Sequence, residues 1–112
     1  MTTQSALLLL TTETPLHAGA GQSVAGIDLP IQRESHTHWP CVYGSGVKGA
    51  LRAHAHHHPD FGPSDLLDLF GPDHAAAAGE RDSSHAGALL VGDALLLALP
   101  VRSLQTCFKW VT

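Results

Sequence analysis

Apolar and polar positions fall in blocks of very different length along this chain, and each block predicts its own element. Residues 6–12 form a short apolar run closed by Thr14-Pro15, the pattern of a buried first strand ending at a breaker. Residues 16–43 show no period and are punctuated by Gly19, Gly21, Gly26, Pro30 and Pro40, which predicts a long irregular loop. From Ser45 a helical period begins. Val47, Ala50, Leu51 and Ala55 lie mainly toward one side, while Ser45, Lys48 and Arg52 share a stripe on the other. Ser45 is the expected cap, and the helix is expected to reach about His56. Leu66, Leu67 and Phe70 make the apolar patch of a second, short helix, capped by Ser64 and stopped by Gly71-Pro72. Residues 73–84 read as a loop. Residues 88–99 are almost unbroken apolar sequence, interrupted at Gly92-Asp93, which predicts one buried strand with a bulge or two short strands. Residues 108–112 read as a further strand. The order β–loop–α–α–β–β is the opening half of an α+β sandwich, a sheet covered by helices on one face. The strand-like run reaches Thr112 without cap, polar tail or turn chemistry, and an open apolar edge tends to pair with another chain. A truncated gene product is the expectation that follows.

Composition narrows this picture in three ways. A chain of 112 residues with 44% apolar content suits one small domain with a modest core. The net charge of −4 is unevenly spread. Residues 53–86 hold Asp60, Asp65, Asp68, Asp73, Glu80 and Asp82 against Arg81 alone, whereas residues 15–52 hold Arg33, Lys48 and Arg52 against Asp28 and Glu34. Local patches decide polyanion binding, and a groove shared between several chains suits this weak basic balance better than a dedicated duplex-DNA binder does. Cys41 and Cys107 lie far apart without metal-type pairing, and neither a signal peptide nor a membrane-spanning run is present, so a reduced, soluble, intracellular protein is expected.

The stretch Gly44-Ser45-Gly46-Val47-Lys48-Gly49-Ala50-Leu51-Arg52 carries the main chemical signal. Amides at a helix start are unpaired and partly positive, so glycines opening a helix that bears Lys48 and Arg52 suit a phosphate chain. The bland alternative is a capped amphipathic helix with a solvated basic face. The stretch is not a nucleotide-hydrolysing P-loop, because Gly49 follows the lysine where Ser or Thr is required. Nine histidines invite a metal reading, with His54 and His58 four apart and His56, His57 and Asp60 close by. Pro59 breaks the helix immediately afterwards, and a solvated His run is the competing reading. Trp39 and Tyr43 either stack on bases or pack locally.

Taken together, Pro15-Leu16-His17 with Gly19 and Gly21, the segment Ile27-Asp28-Leu29-Pro30-Ile31-Gln32-Arg33-Glu34, the Gly44 to Arg52 stretch, Phe70-Gly71 and the apolar run with its ending "FKWVT" resemble a known family. They look like the amino-terminal part of the RAMP-superfamily backbone subunit of type III-B (Cmr-type) CRISPR effector complexes. The resemblance covers residues 6–52 and 87–112, with a diverged acidic, His-rich insertion at 53–86 between them. It implies one ferredoxin-like (RRM-type) core across residues 1–112 with an inserted thumb-like loop at 16–43. Copies of such subunits stack with other subunits along CRISPR RNA in a cytoplasmic ribonucleoprotein complex for antiviral defence. The family subunit cleaves target RNA at regular intervals with Mg²⁺ or another divalent metal, through an aspartate that corresponds to Asp28. This chain departs from the family by stopping near its middle, by Gly46 where a second serine is usual, and by Trp39 before Pro40 in a His-rich thumb region.

The resemblance assigns candidate roles. Asp28, ionised at neutral pH, suits holding a hydrated metal or orienting a ribose 2′-hydroxyl better than acting as an unaided base. Its alternative is a loop Asp capping its own turn. His17 is a candidate general acid or phosphate contact, against a solvated turn histidine. Arg33 is a candidate phosphate fork, with Glu34 fixing it or capping a turn, against a surface ion pair. Gly44, Ser45, Gly46, Lys48, Gly49, Arg52 and Arg33 form the expected RNA-binding set, and Asp28 the expected metal ligand. A non-catalytic RNA-binding scaffold fragment and an unrelated His-rich metal-binding module are the alternatives.

Overall fold

Glycines decide where this chain closes on itself. The computed structural model describes residues 3–21, 29–72 and 85–112. They belong to two compact units, Met1–Ile31 and Gln32–Thr112.

In the first unit the chain closes through one antiparallel bridge, Gly19 to Ile31, with the Ala20 amide donating to the Pro30 carbonyl at 2.7 Å. Gly19 is required there, because a Cβ would lie 2.9 Å from that of Leu29. Residues 6–12 do not form the expected buried strand. They carry no ladder and stand exposed, Leu7 by 98%. Apolar sequence favours a strand only where a neighbour satisfies its amides, and among the described residues none does so.

The second unit holds two helices and two small sheets. Strand β1 (Cys41–Val42), which periodicity did not reveal, is followed by helix α1 (Gly44–His56) and helix α2 (Pro63–Phe70). Strands β2 (Ala94–Leu95), β3 (Leu99–Arg102) and β4 (Phe108–Val111) complete it. β1 pairs antiparallel with β2, Cys41 opposite Leu95, and β3 pairs antiparallel with β4, Leu99 opposite Val111. The expected α+β class is therefore observed. The described residues form two separate two-stranded sheets, not one continuous ferredoxin-like sheet. The 88–99 run resolves into the second alternative, short strands, and it is not buried: Leu90 and Leu97 are exposed.

The helices start differently from the sequence expectation. α1 begins at Gly44, with Tyr43 in the cap position, and the Ser45 hydroxyl makes no capping bond. α2 begins at Pro63 after Gly62, and the Asp65 carboxylate, not Ser64, accepts the Gly62 amide at 2.8 Å. Proline's fixed φ and missing N–H suit a first helical position, which moves the cap back to Gly62. α2 stops as expected at Gly71, whose φ of +85° lies where L side chains are strained.

The core is small, with Cys41, Val47 and Ala55 its buried apolar side chains among the described residues. Much of the cohesion comes from residues 87–95, which act as a strap. Ala88 and Leu89 amides donate to the Asp68 and Leu69 carbonyls at 2.8 and 2.9 Å, satisfying the open end of α2. Gly87 fits there because a Cβ would stand 2.3 Å from the Phe70 carbonyl carbon. Further along, the strap crosses the start of α1 and ends in β2. No helix among the described residues is long and apolar enough to cross a membrane.

Candidate nucleic-acid interface

Each half of the Gly44 to Arg52 stretch has its own surroundings. At its start, Gly44 is buried against the strap, and a Cβ there would lie 2.4 Å from the Val91 carbonyl oxygen. This glycine is therefore required for close backbone approach. Its amide donates to Asp93 Oδ1 at 2.7 Å, so an internal carboxylate sits at the positive end of α1. Gly46 and Val47 amides both donate to the Tyr43 carbonyl, at 2.9 and 3.1 Å. Gly49 faces open space, with nothing within 4 Å of a notional Cβ, and a Cβ on Gly46 would meet Val42 Cγ1 at 3.9 Å.

Lys48 is half-buried, and its ammonium donates to the Leu89 carbonyl at 2.8 Å. One of its three protons thus pins the strap. Arg52, one turn on, is also half-buried but makes no hydrogen bond or ion pair among the described residues. It lines an open depression of about 330 Å³ with Gly49, Ala53, His56 and His57. The stripe that periodicity predicts therefore carries two different cations, one engaged with the fold and one turned to the surface.

Arg33 and Glu34 open a tight turn. Arg33 bridges to Pro40, and its guanidinium donates to the His38 carbonyl at 2.7 Å. Glu34 caps the turn, as one sequence alternative held: its carboxylate accepts from the Thr37 hydroxyl, and its amide donates to the Trp39 carbonyl at 2.9 Å. His38 closes the turn at φ +61°, and Trp39 stands half exposed beside it. The Tyr43 amide is held by Gln32 Oε1 at 2.6 Å, which fixes the approach to α1.

In the first unit, His17 is exposed, with Nε2 2.9 Å from the Leu29 carbonyl. Donation to that carbonyl requires the proton on Nε2, leaving Nδ1 as the ring's other site. Asp28 lies outside the described residues.

The histidine run does not converge. His54 and His58 rings are 5.9 Å apart and tilted, and His58 Nδ1 lies 3.7 Å from an Asp60 carboxylate oxygen. No group of three His, Cys, Asp or Glu side chains among the described residues could hold a metal ion. The described residues therefore supply no metal cage of their own. Cys41 is buried, and burial, with Asp93 and Glu34 nearby, pushes its thiol above the ordinary range.

Sequence reasoning missed Asp93 and the Leu89 carbonyl as partners of α1. Gly92-Asp93, the one polar break in an apolar run, was the available signal.

Comparison with known proteins bears on this arrangement. The family model for the RAMP superfamily matches residues 9–110, a span that includes Asp28 and the whole of α1. The chain is 38% identical over 106 residues to the CRISPR system Cmr endoribonuclease Cmr4 of Pyrococcus furiosus. That alignment covers 95% of this chain and 34% of the Pyrococcus protein, so the chain spans about a third of that relative's length.

Proposed function

Because the chain belongs to the RAMP superfamily, we propose that it works as a guide-RNA-binding backbone subunit of a type III-B CRISPR effector complex that cuts target RNA. The observation that carries this reading is the 38% identity to a Cmr endoribonuclease across 95% of the chain. Membership of the family sets aside the unrelated His-rich metal module. The reading places the protein in the cytoplasm, in a ribonucleoprotein filament of repeated copies and other subunits, acting in antiviral defence.

The chemistry divides between the two units. Arg52, with no internal partner among the described residues, offers a planar fork to a guide phosphate. Arg33 retains donors beyond the one held by His38. Lys48 has two ammonium protons left for an anion once Leu89 takes one. In the cleavage step a ribose 2′-oxygen attacks the adjacent phosphorus and the bond to the 5′-oxygen breaks, leaving a 2′,3′-cyclic phosphate and a 5′-hydroxyl. Asp28 orients the attacking hydroxyl, whose proton passes to solvent, and His17 is the candidate acid that gives a proton to the leaving 5′-oxygen. Asp28 would also be the residue to hold a divalent metal, which would supply positive charge against that developing on the phosphate.

The test is target-RNA cleavage by the reconstituted complex. Asp28→Ala is expected to abolish cutting, by a factor of about 10² or more, while guide binding and assembly persist. Unchanged cutting would leave a non-catalytic RNA-binding scaffold. Loss of assembly together with cutting would make Asp28 structural. Chelation with EDTA is expected to stop cleavage and Mg²⁺ to restore it.

A further inference from the structure

The turn that precedes β1 carries an aromatic ring that the proposed function does not use. Arg33 and Pro40 bridge its base, and the Glu34 amide donates to the Trp39 carbonyl at 2.9 Å. The His38 amide returns to the Glu34 carbonyl at 2.9 Å, and the Trp39 amide donates to the Thr37 hydroxyl at 3.1 Å. His38 sits at φ +61°, a conformation that L residues rarely adopt, and the Arg33 guanidinium on its carbonyl helps hold it there. Pro40 restricts the backbone of Trp39 further. The turn is also tied to the entry of α1, because the Cys41 amide donates to the Gln32 carbonyl and the Tyr43 amide to Gln32 Oε1.

This bonding fixes the backbone of Trp39, yet the residue stays 52% exposed. Among the described residues its indole N–H donates no hydrogen bond and its ring meets no other aromatic ring. Its surroundings are polar: Arg33, Ser35, His36, Thr37 and His38 are all exposed. The turn's one acid, Glu34, is engaged by the Thr37 hydroxyl, with its side chain 15% exposed. The Arg33 guanidinium lies on the carbonyl of the peptide that joins His38 to Trp39, so a cation stands beside the ring's own backbone. A solitary ring among polar groups does not suit an apolar protein surface, which needs a contiguous patch. It matches a nucleotide, a flat base joined to an anion.

We propose that the turn from Arg33 to Pro40 is a base-stacking site for single-stranded RNA, in which the Trp39 ring takes the face of a nucleobase and the remaining Arg33 donors hold the adjoining phosphate. It deepens the guide-binding reading and rests on it. Stacking needs only a π-face, so the site accepts any base, as a subunit that carries guides of varied sequence requires. An indole has two side-chain torsions and here stands on a backbone already held, so little freedom is lost when a base lands on it. Arg52 and Lys48 on α1 can hold only the charge of the sugar-phosphate chain. Trp39 adds a contact that a chain without bases cannot make.

The full chain holds two tryptophans, so Trp110→Phe leaves Trp39 as the fluorescent reporter. The probes are a single-stranded polyuridine oligonucleotide and an abasic ribose-phosphate oligonucleotide of the same length, both titrated in EDTA to prevent cleavage. Polyuridine should quench Trp39 fluorescence and the abasic probe should not. Trp39→Leu should weaken polyuridine binding about tenfold and leave affinity for the abasic probe unchanged, while Trp39→Phe keeps most of the wild-type affinity. Both tryptophans are exposed, and circular dichroism checks that each variant folds. Unchanged polyuridine binding in Trp39→Leu, or an equal loss for the two probes, would overturn the inference while leaving guide binding intact. Absence of binding of either probe by the full chain would overturn the inference and the guide-binding reading together.

Discussion

Helix α1 and the β3–β4 hairpin are both built from amphipathic sequence in the same unit, yet among the described residues it is α1 that a neighbouring segment holds. α1 has the strap along one side: Gly44 against Val91 and Gly92, Asp93 on its first amide and Lys48 on Leu89. Among the described residues the hairpin is held chiefly by its own ladder. Leu99, Val101, Phe108, Trp110 and Val111 all remain exposed, Trp110 by 66%. A two-stranded ribbon with neither face covered is marginal in water, whereas a helix with a satisfied start and a pinned flank resists fraying. Polar residues on a basic stripe can thus be structural, and apolar residues in a strand can carry little of the stability.

The comparison breaks most easily at the glycines. Gly44→Val should cost about 3 kcal/mol or more, because its Cβ would meet the Val91 carbonyl oxygen at 2.4 Å, and backbone on both sides leaves no flexible atom to yield. Denaturant unfolding reads this; a midpoint equal to wild type would mean the strap does not lie on α1. Lys48→Ala should lower stability by roughly 1–2 kcal/mol through loss of the Leu89 bond, and Asp93→Asn by about 1 kcal/mol through loss of the charged cap. An unaltered unfolding midpoint in Lys48→Ala, with a flatter salt dependence of guide binding, would make Lys48 purely a phosphate contact.

On the other side of the comparison, Trp110→Thr should change stability by about 0.5 kcal/mol or less, as for an exposed side chain whose strand tolerates threonine. A larger loss, or a change in association state by light scattering, would show that this face is covered in solution. The smallest effect concerns the thiols. Cys107 is exposed while Cys41 is buried, with its thiol pushed up, so a disulfide reagent at pH 8 should label Cys107 first. Because the folded state raises the Cys41 pKa, its contribution to stability is complete below the ordinary thiol value and is lost as pH rises from there through the raised folded value.

Both helices were legible in the sequence because their signals are local: the period of Val47, Leu51 and Ala55, and the stop at Gly71-Pro72. Their caps were not. Ser45 and Ser64 have the right chemistry. Gly44 is forced into the helix by the strap, however, and Pro63 takes the first position of α2. Strand β1 escaped notice because two residues carry no period. Residues 6–12 depart from expectation for the opposite reason, since an apolar run states what a segment would bury and not whether a neighbour arrives. In the candidate interface, the pairing of Lys48 with Arg52 was readable as a stripe, but their division into a pinned and an open cation was not.

By itself, then, the sequence determined the helical periods, the breakers, the uneven charge and the motif order that marks the family, because each depends on residues near one another in the chain. Only the tertiary structure decided which donors remain for a ligand. Leu89 and Asp93 lie more than forty residues from the α1 groups they engage, and a hydrogen bond spent across that distance leaves no trace in local spacing.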